Sequence, residues 1–267
     1  MGIDGIPETF PETVVTAPAP AIELGNLTKI YGTIPAVDGL SLHVPRGCFF
    51  GFLGPNGAGK TTTIKMLMGL APPNSGSIRI LGLKMPEDSL EIRRQIGVVP
   101  DDTLLFDQLT GLEYVQFAGR LYGLPKELAT ERAKELLQLF ELDGAPRKLI
   151  AEYSKGMRKR TAMAASLIHR PHLFLMDEPF EGVDAVGARL MKDILLEQVR
   201  LGATIFLTSH VLEVVERLCD RVAIVNHGRI AAAGTIAELR SGDETLEDLF
   251  VRLVGASRTA ENLDWLQ

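Results

Sequence analysis

Gly54-Pro55-Asn56-Gly57-Ala58-Gly59-Lys60-Thr61-Thr62 has the spacing G-x-x-x-x-G-K-[ST]. Upstream, Cys48-Phe49-Phe50-Gly51-Phe52-Leu53 is an apolar run that reads as a buried strand. Downstream, Ile64, Leu67 and Met68 fall on one helical face, and Gly69, Pro72 and Pro73 stop the helix. A glycine-rich loop between a strand and a helix curls with its N–H groups pointing inward, and together with the helix N-terminus it forms an anion nest. Lys60 can reach the β- and γ-phosphates of a nucleotide, and the Thr61 hydroxyl can ligate Mg²⁺. A strand, a phosphate loop and a helix in that order predict an α/β fold with a P-loop NTPase core.

The rest of the composition suits that core. The chain has 267 residues, 46% hydrophobic and 23% charged, as in soluble globular proteins. A net charge of −6 argues against coating nucleic acid, and no nucleic-acid partner is expected. Cys48 and Cys219 are the only cysteines, too few for a disulfide framework or a cysteine metal site. No apolar run reaches the roughly 18 residues that span a bilayer. The N-terminus has no basic segment followed by an apolar one, so it does not read as a secretory signal. Residues 1–20 hold Pro7, Pro11, Pro18 and Pro20 with no Lys or Arg, which predicts a flexible tail.

From about residue 21 the chain reads as short β segments. Leu27 to Ile30 is one, and Leu40-Ser41-Leu42-His43-Val44 alternates as a half-buried strand does. Tyr31 lies between them in a loop-like Tyr31-Gly32-Thr33 and is either a partly buried aromatic or a platform for a purine ring. Beyond the phosphate loop, Ser77–Leu81 and Ile96–Val99 are further strands, the latter ended by Pro100 and Asp101. From about 104 to 170 the pattern turns helical. Thr110-x-x-Glu113 is a capping box, and Pro125 suits a helix start. Strands resume at Leu173–Met176, Thr204–Leu207, Val222–Val225 and Arg229–Ala232. Strands alternating with helices predict a mostly parallel sheet, and ligands sit at the carboxyl ends of such strands.

Two further segments end strands and carry chemistry. Asp177 closes an apolar strand, where a carboxylate suits Mg²⁺, and Glu178 stands one step nearer the γ-phosphate, where it can orient water or accept its proton. His210 follows Thr208-Ser209 at the end of the next strand. Ser154, in Tyr153-Ser154-Lys155-Gly156-Met157, is a good N-cap. It is either an ordinary capped helix start or a second phosphate-binding helix end, which makes sense if it serves the ATP of another subunit.

Taken together, and over about residues 22–250, these residues resemble the nucleotide-binding subunits of ATP-binding-cassette (ABC) transporters. The resemblance implies an ATP- and Mg²⁺-binding domain over 21–250, with an N-terminal antiparallel β part, a helical subdomain at about 104–170 and a tail at 251–267. It implies that Tyr31 stacks on adenine, that Gly54 to Thr62 is the Walker A loop, and that Asp177 and Glu178 are the Walker B aspartate and catalytic glutamate. His210 resembles the switch histidine. Asp101 stands where the family usually has the Q-loop glutamine, touching Mg²⁺. Ser154 and Gly156 resemble the signature motif, and Asp184 the D-loop, both serving the ATP of the opposite subunit. Lys155 and Met157 depart from the usual signature, and Ala185 replaces the usual D-loop proline. The variant signature, Leu109-Thr110-Gly111 and Leu246-Glu247-Asp248-Leu249-Phe250 look most like the ABC-2-type exporter group. The implied function is an ATPase subunit that forms a homodimer or pairs with a second ATPase subunit. It powers a separate transmembrane permease from the cytoplasmic face of the membrane. The alternatives are a soluble ABC regulatory ATPase and a small-molecule P-loop kinase; the kinase leaves the Ser154 segment and His210 unexplained.

Overall fold

The computed structural model describes residues 19–101, 103, 105–144, 147–242 and 244–255. Most of the two expected tails therefore lies outside the described residues. The strand before the phosphate loop, β3 (Phe49–Leu53), is buried along its whole length. Its neighbours are β8 (Thr204–Ser209) and β9 (Arg221–Asn226), both parallel to it. The sheet continues through β7 (Leu173–Asp177) to β6 (Ile96–Val99), again parallel, and ends on its other side at the antiparallel β10 (Arg229–Thr235).

A parallel sheet covered on both faces needs apolar side chains both ways, and β3 supplies them. Phe49 and Leu53 enter one core, Phe50 and Phe52 the other. The second core holds Phe50 and Phe52 against Phe206, with ring centroids 5.8 and 5.4 Å apart. It is closed by α1 (Lys60–Leu67) and by a second sheet, entirely antiparallel, of order β2-β1-β4-β5. Those strands are β1 (Ile22–Tyr31), β2 (Ile34–Val44), β4 (Ser75–Ile80) and β5 (Leu83–Met85). Tyr31, expected in a loop, is the last residue of β1, because β1 and β2 form one long hairpin turning at Gly32-Thr33.

The first core is covered by helices. α3 (Gly111–Leu121) starts at the expected capping box of Thr110 and Glu113. α4 (Lys126–Leu139) follows Pro125, and α5 (Lys155–Leu167) is capped by the Ser154 hydroxyl, which accepts from the Met157 N–H. These three helices lie between residues 111 and 167 and pack through Val115, Leu137 and Met163. α6 (Ala185–Arg200) is capped by Asp184. The remaining helices are α2 (Ser89–Gln95), α7 (Leu212–Leu218), α8 (Ile236–Leu239) and α9 (Leu246–Val254). α9 runs past residue 250, where the sequence reading ends the domain, because Leu246 and Leu249 are anchored in the first core.

Candidate functional site

The phosphate loop leaves β3 and enters α1 under tight steric control. A Cβ on Gly54 would stand 2.5 Å from the Val225 carbonyl oxygen. Gly59 has φ +105° and a Cβ there would stand 2.4 Å from the Ala36 oxygen, so only glycine fits. Thr63 is the first residue of α1 whose N–H reaches a carbonyl of the preceding turn, Gly59 O at 2.9 Å. Among the described residues, the N–H groups of Lys60, Thr61 and Thr62 find no acceptor. These orphan donors, at the positive end of a helix dipole, are what a phosphate binds. Lys60 Nζ donates to Gly54 O at 2.7 Å and Pro55 O at 3.2 Å, curled over its own loop. Burial pulls the Lys60 ammonium below the usual lysine range, while the Glu178 and Asp177 carboxylates push it back up. The loop is braced from the β9–β10 turn: the Gly228 N–H donates to Ala58 O, and Arg229 forks onto Asp38 at 2.9 and 2.7 Å.

Parallel pairing of β3, β8 and β7 brings the second and third motifs to the same edge. Leu53 is level with Ser209, and Asp177 with Thr208. Asp177 is 3% exposed and accepts the Thr208 hydroxyl on one oxygen. The Glu178 N–H donates to the same hydroxyl at 3.2 Å, and His210 Nδ1 lies 3.0 Å from Glu178 Oε1. Glu178 has φ +46°, a left-handed conformation rare for a glutamate. Lys60, Asp177, Glu178 and His210 therefore converge at one edge of the sheet.

Ser154, Gly156 and Asp184 assemble apart from them. A Cβ on Gly156 would stand 3.1 Å from Gly182 O, so the start of α5 lies against the loop leading to Asp184. Lys155 Nζ meets Glu181 at 2.6 Å and holds the Glu181 carboxyl below its usual range. Ser154 and Asp184 are exposed and, among the described residues, share no hydrogen bond with the phosphate loop. Tyr31 is half exposed with Lys29 Nζ 5.2 Å from its ring centroid. Asp101 pairs with Lys159, Nζ to Oδ1 3.6 Å.

Sequence reasoning passed over Thr208, Lys159 and the Asp38–Arg229 brace. Lys159 had a signal: it lies four residues before Met163, on the inward face of an apolar helix.

Mg²⁺ takes oxygen ligands and is held by one or two carboxylates with substrate phosphates and water, not by a closed protein cage. The residues fit. Asp177 has one carboxylate oxygen not engaged by Thr208, Thr61 is exposed at the helix start, and the described residues hold no cluster of three or more metal ligands.

The sequence profile of the ABC transporter family matches residues 37–181. The chain is 42% identical over 226 residues to the daunorubicin/doxorubicin resistance ATP-binding protein DrrA of Streptomyces peucetius, across 85% of this chain and 68% of that one. It is 40% identical over 220 residues to the Nod factor export ATP-binding protein I of Ralstonia nicotianae, across 82% and 68%. Its fold superposes on the dimeric ATP-binding cassette MJ0796, in a post-hydrolysis state bound to ADP and Pi, with a TM-score of 0.75 and 26% identity over 80% of this chain and 98% of that one. With a phosphate loop, a Walker-B-like acid pair and a histidine gathered at one edge of its parallel sheet, the chain belongs to the ABC transporter family, as an ATP-binding subunit.

Proposed function

We propose that this subunit hydrolyses Mg²⁺–ATP between two head-to-tail copies, or between itself and a second ATPase subunit, and so powers export by a separate permease. The observation that carries the reading is the convergence of Lys60, Asp177, Glu178 and His210 at the carboxyl ends of β3, β7 and β8. The loop amides and Lys60 hold the β- and γ-phosphates, and Tyr31 receives the adenine. Thr61 and Asp177 would hold Mg²⁺, which would neutralise charge on the phosphates. Glu178 orients the attacking water and accepts its proton, and His210 bonds the γ-phosphate. Ser154, Gly156 and Asp184 of one copy cap the ATP of the other.

Export is supported by the relatives, whose names speak of drug resistance and Nod factor export. No helix among the described residues is long and apolar enough to cross a membrane; the subunit is proposed to sit on the cytoplasmic face, held there by the permease. Phe106, Phe117 and Leu121 expose 53%, 41% and 71% of their surface; Leu121 lines a cleft of about 220 Å³ with Val98, Pro100 and Tyr114, and Phe106 packs edge-on against Tyr114 and Phe117. This apolar face is proposed to receive a cytoplasmic segment of the permease. The test is ATP hydrolysis with Mg²⁺ and with EDTA, together with affinity capture of the native complex from membranes. Mg²⁺-dependent turnover and a co-purifying multi-span protein are expected. Recovery of the protein only in the soluble fraction, with its genomic neighbours expressed, would count against the permease.

A further inference from the structure

Lys159 is 0% exposed. Its Nζ donates to Pro100 O at 3.1 Å and Asp177 O at 3.4 Å, and stands 3.6 Å from Asp101 Oδ1. One ammonium thus ties together α5, whose first turn holds Ser154 and Gly156, the loop after β6, and the carboxyl end of β7. Two carbonyl dipoles alone do not compensate a charge withdrawn from water; a carboxylate is needed. Asp101 supplies it. The nearby Glu181 is engaged by Lys155 at 2.6 Å. Asp101 itself is half exposed, with a side chain 49% accessible, so without Lys159 its charge would face solvent unpaired.

We infer that Lys159 is a positioning residue: it holds the Asp101 carboxylate as one half of a neutral pair and links the start of α5 rigidly to the Asp177 end of β7. Any shift of the Ser154 turn then moves the Asp101 loop and the Asp177 end of β7 with it. The pairing stands on geometry alone; its effect on nucleotide rests on the ATPase reading above.

The test is a cycle of Asp101→Gln, Lys159→Gln and the double variant, since two facing amides can hydrogen-bond without charge. Without nucleotide, each single substitution lowers Tm by about 5 °C, and the double variant recovers at least half of either loss. Losses that simply add overturn the pairing. If Lys159→Gln does not fold, Asp101→Gln still decides, because its site is half exposed; an unchanged Tm overturns the pairing. The second readout is binding of a fluorescent ATP analogue in EDTA and over a Mg²⁺ titration. In Lys159→Gln the uncompensated carboxylate weakens metal-free binding several-fold and lowers the Mg²⁺ midpoint, and the double variant restores both. Mere loosening of the fold weakens binding without lowering the midpoint, and that result overturns the positioning role. A recovered Tm with no nucleotide bound by any variant, wild type included, keeps the pairing and sinks the ATPase reading instead.

Discussion

Glu178 is the residue where local strain and chemistry meet. A left-handed backbone at a non-glycine costs of order 1–3 kcal/mol, and it is retained here because Thr208 and His210 hold both ends of the residue. Strain of this kind, fixed by a strand end on one side and a histidine on the other, aims a carboxylate at one place. Glu178→Gln keeps the shape and loses the base, so turnover should fall by about 10²–10⁴-fold with ATP binding preserved; steady-state phosphate release and nucleotide titration measure both, and wild-type turnover would remove Glu178 from catalysis. Lys60→Ala removes the cation curled over the loop, and equilibrium titration should show ATP affinity reduced at least tenfold. Affinity equal to wild type would sink that role. The place of Asp177, Glu178 and His210 at the sheet edge is legible in sequence because each ends or directly follows an apolar strand. Thr208 was not read as a partner because its bond to Asp177 spans 31 residues and exists only once β7 and β8 are neighbours.

Among the elements, those that announce their own ends were readable. Thr110 with Glu113, Pro125 and Ser154 mark α3, α4 and α5 by local hydrogen bonds and fixed dihedrals. The short α2 and β5 carry no such marks: the Asp88 side chain at the N-cap of α2 accepts from the Lys84 N–H and not from the helix's own first turn, and β5 is three residues held by β4. Where α3 ends, Tyr122 stacks on His169 with ring centroids 3.5 Å apart, and His169 Nε2 lies 3.0 Å from Ile96 O. Burial holds His169 down to about 4, with the bond to the Ile96 carbonyl working the other way. The folded state therefore resists a proton that the unfolded chain takes up near pH 6.5. Stability from this residue is intact above about 6.5 and declines as pH falls toward 4. Chemical denaturation at pH 7.5 and 5 should show the loss, bounded at about 3 kcal/mol and reduced by the partial exposure of the ring. His169→Phe, which keeps the stack, should flatten the pH dependence, and an unchanged slope would place the acid sensitivity elsewhere.

At the scale of the whole molecule, alternating strands and helices made a parallel sheet legible, but not the strand order, since β3 pairs with β8 and β9 more than 150 residues away. That order decides which motifs share an edge. It brings Lys60, Asp177, Glu178 and His210 together and leaves the Ser154 turn on the Gly182–Asp184 loop, exposed and unbonded to its own phosphate loop. Under the proposed function, a phosphate site split in this way would be completed by a second ATPase subunit, with the γ-phosphate meeting Lys60 and His210 of one chain and Ser154 of the other. On that proposal, hydrolysis would remove the bridge and let the pair open, and that opening would be the motion offered to a permease. With ATP and Mg²⁺, Glu178→Gln should accumulate as a dimer in light scattering, because it binds nucleotide and cannot cleave it. Adding Ser154→Arg puts a long cation into the interface at an exposed position and should return the protein to monomer. The lost cap costs only about 1 kcal/mol, so Tm separates loss of pairing from loss of fold. A Glu178→Gln protein that stays monomeric with ATP bound, both alone and with its permease partner present, would refute closure over two nucleotides. A dimer that survives Ser154→Arg would refute the role of the Ser154 turn in it.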